Sequence, residues 1–279
     1  MKYLFFYLLF IPCSIFSQKS ELDNMMANAR RYFDAGAYQK TIEETSKVIH
    51  VEELAEAYKL RGDAKHYKGD QRKFEFGDDR SAIEDYNKAI VLKPNFVSAY
   101  VQLGIAYQTL NENENAMADF DKAIELDSLN ADAYVSRGEL KNTLQDYMGS
   151  LEDLNKAIKL KPFDADAYNV RSLTKRNLNL SEEAVIDCAI AIYLNPDFAN
   201  AYANRGAAYD DLGYYKKSIA DQKEALKLHP GFANAWLNIG IAEYKLNNLA
   251  EARKAWKKAE KLGNTQATGL LEKYAAEAK

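Results

Sequence analysis

The stretch Ala82-Ile83-Glu84-Asp85-Tyr86-Asn87-Lys88-Ala89-Ile90 decides how this chain folds. It returns, with substitutions, at Ala116–Ile124, Ser150–Ile158, Ala184–Ile192 and Ser218–Leu226. Every copy opens on Ala or Ser, carries Asp in fourth place and closes on Ala followed by Ile or Leu. The Asp residues, Asp85, Asp119, Asp153, Asp187 and Asp221, stand 34 residues apart throughout. The small and apolar places within each copy fall on one face of a helix.

Other marks keep the same period. An aromatic residue recurs at Tyr58, Tyr100, Tyr134, Tyr168, Tyr202 and Trp236. Four residues later a small one follows: Gly62, Gly104, Gly138, Ser172, Gly206 and Gly240. Pro94, Ser128, Pro162, Pro196 and Pro230 close the second helix of each unit. Each mark has a physical reason. The small residue lets the first helix, A, approach the second, B. Proline stops helix B, since it can neither donate to the helix nor fit beside the preceding turn. A period of 34 with two helices per unit resembles the tetratricopeptide repeat family. That resemblance implies an all-α fold, a right-handed superhelical solenoid of antiparallel helix hairpins, in which each hairpin buries its apolar face only against its neighbours.

On this reading the units are 22–54 (degenerate, with Gly36 and Tyr38 at its turn), 55–96 (with eight inserted residues), 97–130, 131–164, 165–198, 199–232 and 233–266. Residues 267–279 are expected to form a capping helix, with Leu270, Leu271 and Tyr274 facing inward. The insertion, Lys68 to Asp79, holds Arg72, Lys73, Phe74 and Phe76, and is read either as a contact site or as a longer hairpin turn.

Residues 1–17 read as a cleaved signal peptide. Lys2 supplies the positive start, Tyr3 to Ile11 the apolar run, Pro12 a break and Ser17 a small residue before the cut. The run is shorter than the roughly 20 residues that span a bilayer. The expectation is an exported protein, periplasmic or secreted. It would be membrane-associated only if lipidated at Cys13, where the preceding Pro12 fits lipidation poorly. Removing the segment leaves 36 basic and 41 acidic side chains, a balance that does not suit a nucleic-acid partner. One cysteine remains, Cys188, placed on an inner helix stripe and read as a buried small hydrophobe.

Nothing in the sequence points to catalysis. His50, His66 and His229 lie in different units without metal-ligand spacing, and no phosphate-binding glycine loop is present. No enzyme activity, metal or cofactor is expected. The repeating charges read first as structure. Arg61, Arg137, Arg171 and Arg205 precede the small residue and should pair with the periodic Asp residues; Leu103 stands in the Arg place of the third unit, so Asp119 should lack that partner.

The family resemblance places the A helices on a concave, partner-binding face. Candidate contacts there are Asn200, Asn204, Asn234 and Asn238, which could hold the backbone of an extended peptide, with Asp132, Asp166 and Arg176. Asn in these places is equally a polar helix-face residue. Asp132, Glu139, Asp166, Asp210 and Asp211 against Arg176 and Lys245 suit a neutral or basic peptide, and argue against a clamp for a C-terminal carboxylate. The function expected is a protein–protein interaction scaffold that takes a peptide or protein segment on its concave face. The alternative is a structural subunit of a cell-envelope assembly that uses its edges and convex face.

Overall fold

The computed structural model describes residues 12–68 and 78–274. Among these residues there are fifteen α-helices and no strand. The chain divides into two compact units, Met1–Ser128 and Leu129–Lys279.

The first unit holds three hairpins. They are α1 (Pro12–Asp34) with α2 (Tyr38–Val51), α3 (Ala55–Tyr67) with α4 (Asp79–Leu92), and α5 (Val97–Thr109) with α6 (Asn113–Leu126). Helix α1 begins ten residues ahead of the first expected unit and runs through Ser17. Proline suits its first position, where an N–H would lack a partner in any case. The apolar run Tyr3–Ile11 and most of the insertion, 69–77, with Arg72, Lys73, Phe74 and Phe76, lie outside the described residues.

The second unit holds four hairpins and a final helix. These are α7 (Ala131–Thr143) with α8 (Tyr147–Leu160), α9 (Ala165–Asn177) with α10 (Ser181–Leu194), α11 (Ala199–Asp211) with α12 (Tyr215–Leu228), α13 (Ala233–Lys245) with α14 (Leu249–Lys261), and α15 (Thr265–Lys273). Leu270, Leu271 and Tyr274 pack on the Trp256 cluster, which closes the end of the last hairpin.

The A–B turns share one device. Gly36, Asn111, Gln145, Asn179, Gly213 and Asn247 in these turns have φ between 60° and 78°, and Gly263, in the turn from α14 into α15, has φ 87°. This left-handed residue turns the chain so that free carbonyls of the last helical turn find donors. At Gly213, its own N–H donates to the Asp210 carbonyl and the Tyr214 N–H to that of Tyr209.

Within a hairpin the two helices meet at the periodic small residue. A Cβ on Gly62 would stand 2.6 Å from the Tyr86 ring, on Gly104 2.6 Å from Phe120, on Gly138 2.9 Å from Leu154, on Gly206 2.6 Å from Gln222 and on Gly240 2.2 Å from Trp256. Each glycine thus seats a large side chain from helix B. Where the A position is Ser172, the B residue is the small Cys188, fully buried. Burial pushes that thiol up to about 11, which keeps it protonated and unreactive at neutral pH.

Between hairpins the apolar clusters bridge neighbours. Ala55, Tyr58 and Ala89 join Ala99, and Leu226 joins Ala235, Ile239 and Ala255. Among the described residues these clusters run from one hairpin to the next, so each hairpin depends on its neighbour. In the second unit neighbouring A helices approach one another, α7 with α9, α9 with α11 and α11 with α13, while no pair of B helices comes comparably close. The A side is therefore the inside of that unit's curve.

Candidate functional site: the inner face of the second unit

The periodic charges form a ladder inside the hairpins. Arg61 donates to Asp85 at 2.6 and 2.9 Å, Arg137 to Asp153 at 2.6 and 2.8 Å, Arg171 to Asp187 at 2.8 Å twice, and Arg205 to Asp221 at 2.8 and 2.9 Å. Lys65, Lys141 and Lys175 add a second cation to the first three of these carboxylates. Each guanidinium also lies over its tyrosine, Tyr58, Tyr134, Tyr168 or Tyr202, at 5.3–5.6 Å. These groups satisfy one another and are not free to bind a ligand.

Asp119 is the exception. It has no cation partner among the described residues, and burial alone pushes its carboxyl up to about 6. Its folded form holds the proton more tightly than an unfolded chain does, so its penalty is full above about pH 6 and relieved as the pH falls towards 4. Asp119→Asn should therefore raise stability at pH 7 by about 1 kcal/mol, after discounting for solvent screening of a half-exposed group. It should also remove that rise on acidification. Urea unfolding of both proteins between pH 4 and 8 is the check, and equal slopes would count against the assignment.

The residues singled out from sequence lie on the A helices of the second unit, and several are already engaged. Arg176 donates to Asp211 at 2.6 Å across neighbouring A helices. Lys161, just beyond α8, reaches Asp132 at 2.5 Å. Asn204 donates to Asn169 at 2.9 Å, and Asn264 to the side-chain oxygen of Asn234 at 2.9 Å. Asn177 and Asn142 make the same kind of link at 3.0 Å. The Asn residues thus first serve as ties between adjacent A helices, and a spacing of 35 residues brings the partners level. Asn200 is exposed and Asn238 half-buried, and no hydrogen bond occupies either side chain among the described residues.

The groups left open along the middle of the inner face are negative, while Lys245 and Lys273 line the pocket at its end. Glu139 and Asp166 have no cation partner; partial desolvation raises both carboxyls, helped at Glu139 by the nearby Asp166 and at Asp166 by Asp164. Glu139 remains accessible to solvent although closely surrounded, as expected for a group on a concave surface. Asp210 is raised by desolvation and by Asp211, against the opposing pull of Lys245 and Arg176, and its Oδ1 has no hydrogen-bond partner. At the far end of the face lies a pocket of about 550 Å³ lined by Leu237, Ile241, Tyr244, Trp256, Leu270 and Tyr274. The inner face thus offers uncompensated carboxylates along its middle and an apolar pocket at its end.

Sequence reasoning missed a feature of the opposite side. On α8 the outward positions are Glu152, Asn155, Lys156 and Lys159; on α10 the same places hold Ile186, Ala189, Ile190 and Tyr193. Ile186 is 59% and Tyr193 85% exposed. Aligning the repeats by their Asp shows the substitution directly, so the signal was present.

Among the described residues no group of three His, Cys, Asp or Glu side chains is arranged to hold a metal ion, and no helix is long and apolar enough to cross a membrane. His66 Nδ1 lies 2.5 Å from Asp79, a contact that links α3 to α4.

A repeated hairpin with internally neutralised seams and an open inner face defines a helical-repeat interaction scaffold. The chain carries tetratricopeptide repeats: family models described as TPR repeat and tetratricopeptide repeat match residues 71–111, 97–128 and 204–267. Solved structures agree on the fold. It is similar to a tetratricopeptide repeat protein from Parabacteroides merdae ATCC 43184, with a TM-score of 0.68 and 18% identity over 91% of this chain and 98% of that one. YrrB, described as a TPR protein with an unusual peptide-binding site, matches with a TM-score of 0.51 and 23% identity over 68% of this chain and 99% of its own. The APC/C hetero-tetramer Cut9-Hcn1 gives a TM-score of 0.78 at 18% identity, over 88% of this chain and 47% of that one. At these identities the likeness speaks for the fold alone. A comparison with curated proteins gives no match.

Proposed function

We propose that this protein is a non-enzymatic scaffold whose second unit receives an extended, neutral-to-basic peptide or protein segment along its inner face. The observation that carries this reading is the pair Glu139 and Asp166, accessible carboxylates held without a counter-charge where every ladder carboxylate but Asp119 has one. A lysine or arginine from a partner would supply it. Asn200 and Asn238 remain able to hold the partner's backbone, and the pocket beside Tyr244 is sized for an apolar side chain. Arg176, Asp132, Asn204 and Asn234 shape the face through their internal bonds rather than by first contact with the partner.

The test is a titration of the protein with a fluorescent lysine-rich peptide. Glu139→Gln with Asp166→Asn should weaken binding about tenfold, roughly 1.4 kcal/mol. Because both carboxyls are raised, wild-type affinity should fall on acidification at a higher pH than ordinary carboxylates would give, and the double variant should lose that dependence. Unchanged affinity in the variant would remove the support for this reading.

A second reading, assembly through the convex side in an envelope complex, draws support from the exposed stripe Ile186, Ala189 and Tyr193 on α10. Export past a membrane is part of both proposals and rests on Lys2, the run Tyr3–Ile11 and Ser17. Sequencing the mature amino terminus checks it: Gln18 supports export with cleavage, and an intact Met1 argues against it.

A further inference from the structure

The last hairpin departs from the ladder at both of its places. Where the earlier hairpins carry an Arg–Asp pair such as Arg205 and Asp221, this one has Ile239 and Ala255, each one period further on. The aromatic residue changes with them. Tyr202 has the Arg205 guanidinium over its ring, whereas Trp236 has instead the ammonium of Lys258, from the facing helix, at 3.9 Å. Losing a guanidinium and a carboxylate from one seam removes bulk and leaves a cleft of about 390 Å³ on α12, α13 and α14, its apolar floor made by Trp236, Ile239 and Ala255.

The rim of this cleft is basic. Lys223, Lys254, Lys257, Lys258 and Lys261 line it, together with Glu243 and Glu251. Both acids are already engaged: Glu251 accepts from Lys254 at 2.6 Å, and Glu243 from the Asn248 side chain at 2.9 Å. Lys223, Lys257, Lys258 and Lys261 have no carboxylate partner among the described residues. Four ammonium groups without a salt-bridge partner therefore surround an apolar floor, against the single carboxylate of Glu243, whose bond from the neutral Asn248 amide leaves its charge in place. This polarity is opposite to that of the inner face, where the open groups are carboxylates.

We propose that this cleft is a second binding site, for an acidic polypeptide segment. An apolar side chain of the segment fills the space over Ile239 and Ala255 against Trp236, and its flanking carboxylates pair with Lys223, Lys257, Lys258 and Lys261. Charge complementarity selects the acidic partner. The concave apolar floor selects a polypeptide over a flat lipid surface, because a cleft encloses a side chain and a bilayer presents none. A phosphate backbone would meet the cleft's lysines but leave its apolar floor unfilled.

The experiment titrates the full chain with a labelled synthetic peptide of about a dozen alternating Glu and Leu residues, and with its Gln counterpart, following affinity and Trp fluorescence. The Glu peptide should bind, more weakly as salt rises, and the Gln peptide about tenfold or more less tightly. Lys257→Glu with Lys261→Glu reverses exposed, unpartnered charges and should weaken the Glu peptide at least about tenfold. Ile239→Arg with Ala255→Asp rebuilds the ladder pair, fills the cleft and keeps all four lysines; it should also abolish binding, with helix content retained by circular dichroism. Glu139→Gln with Asp166→Asn should leave this binding unchanged, which separates the site from the inner face. The proposal is overturned by failure of the Glu peptide to bind, by equal affinity for the Gln peptide, or by affinity that neither cleft variant changes. It is equally overturned if the inner-face variant abolishes binding, if acidic phospholipid vesicles bind where the peptide does not, or if the charge reversal only dissolves a self-associated form.

Discussion

Arg205→Ala is expected to destabilise the second unit by about 3 kcal/mol, more than loss of any other ladder arginine. The Asp221 side chain is 10% exposed and takes both of its charge-assisted bonds from Arg205. In the other intact pairs a lysine stands one turn further along helix A, as Lys175 does 2.9 Å from Asp187; here that place is Tyr209. Removing Arg205 thus strands a buried carboxylate, whereas Arg171→Ala leaves Asp187 one cation and should cost about half as much. The loss should be greatest at neutral pH and shrink on acidification, because the stranded Asp221 can then take a proton. Urea denaturation of both variants at two pH values is the check. Equal losses would mean that the lysines, not the bidentate pairs, hold the ladder.

The chain contains natural counterparts of this experiment. In the third repeat Leu103 replaces the arginine alone, and Asp119 is left with its carboxyl pushed up to about 6. In the seventh repeat both partners are replaced, by Ile239 and Ala255, and no charge is stranded. Arg205→Ile with Asp221→Ala should accordingly recover most of what Arg205→Ala loses, since exchanging both members of a pair for apolar groups is often close to neutral.

Gly240→Ala is the second large effect, a net loss of about 2 kcal/mol. An alanine Cβ would fall 2.2 Å from Trp256 Nε1 and 3.0 Å from the Ala252 backbone oxygen. Trp256 is 1% exposed and stacked on Tyr274 with ring centres 5.7 Å apart, so it cannot move without unseating the end of α15. Overpacking of this kind costs up to about 3 kcal/mol, against which alanine's better helix propensity returns about 1. The accompanying signs should be a red shift of Trp fluorescence and faster hydrogen exchange in α15. Gly36→Ala serves as a control, because its Cβ would meet nothing and only its φ of +69° opposes the change.

Period carried most of the fold. A fixed interval of 34 fixes which residues share a helix face, and the repeated Gly and Ala fix where two helices touch, so hairpins, seams and the Arg–Asp ladder are all legible in the sequence. The A–B turns were less legible. Gly36 announces one, but Asn111, Gln145, Asn179 and Asn247 take the same left-handed conformation without being glycine. Their spacing, not their type, is the signal.

The inner face was legible in composition and not in pairing. Arg176 and Asp211 lie 35 residues apart, as do Asn169 and Asn204, and only the stacking of A helices makes that interval a contact. Lys161 sits beyond helix α8 and reaches Asp132 because the chain turns back there. Both outer features, the apolar stripe on α10 and the lysine cleft on the last hairpin, are departures from the repeat. They become visible only when each position is compared with its equivalents 34 residues away.

The most direct test of the central claim, that the inner face of the second unit takes a neutral-to-basic segment, is selection of randomised peptides on the immobilised full chain, with sequencing of the bound pool. The account predicts enrichment of Lys or Arg beside one large apolar residue, and loss of that enrichment on the Glu139→Gln, Asp166→Asn double variant. A pool bound to the wild type that is rich in Asp and Glu, or a basic pool that survives unchanged on the double variant, would contradict it.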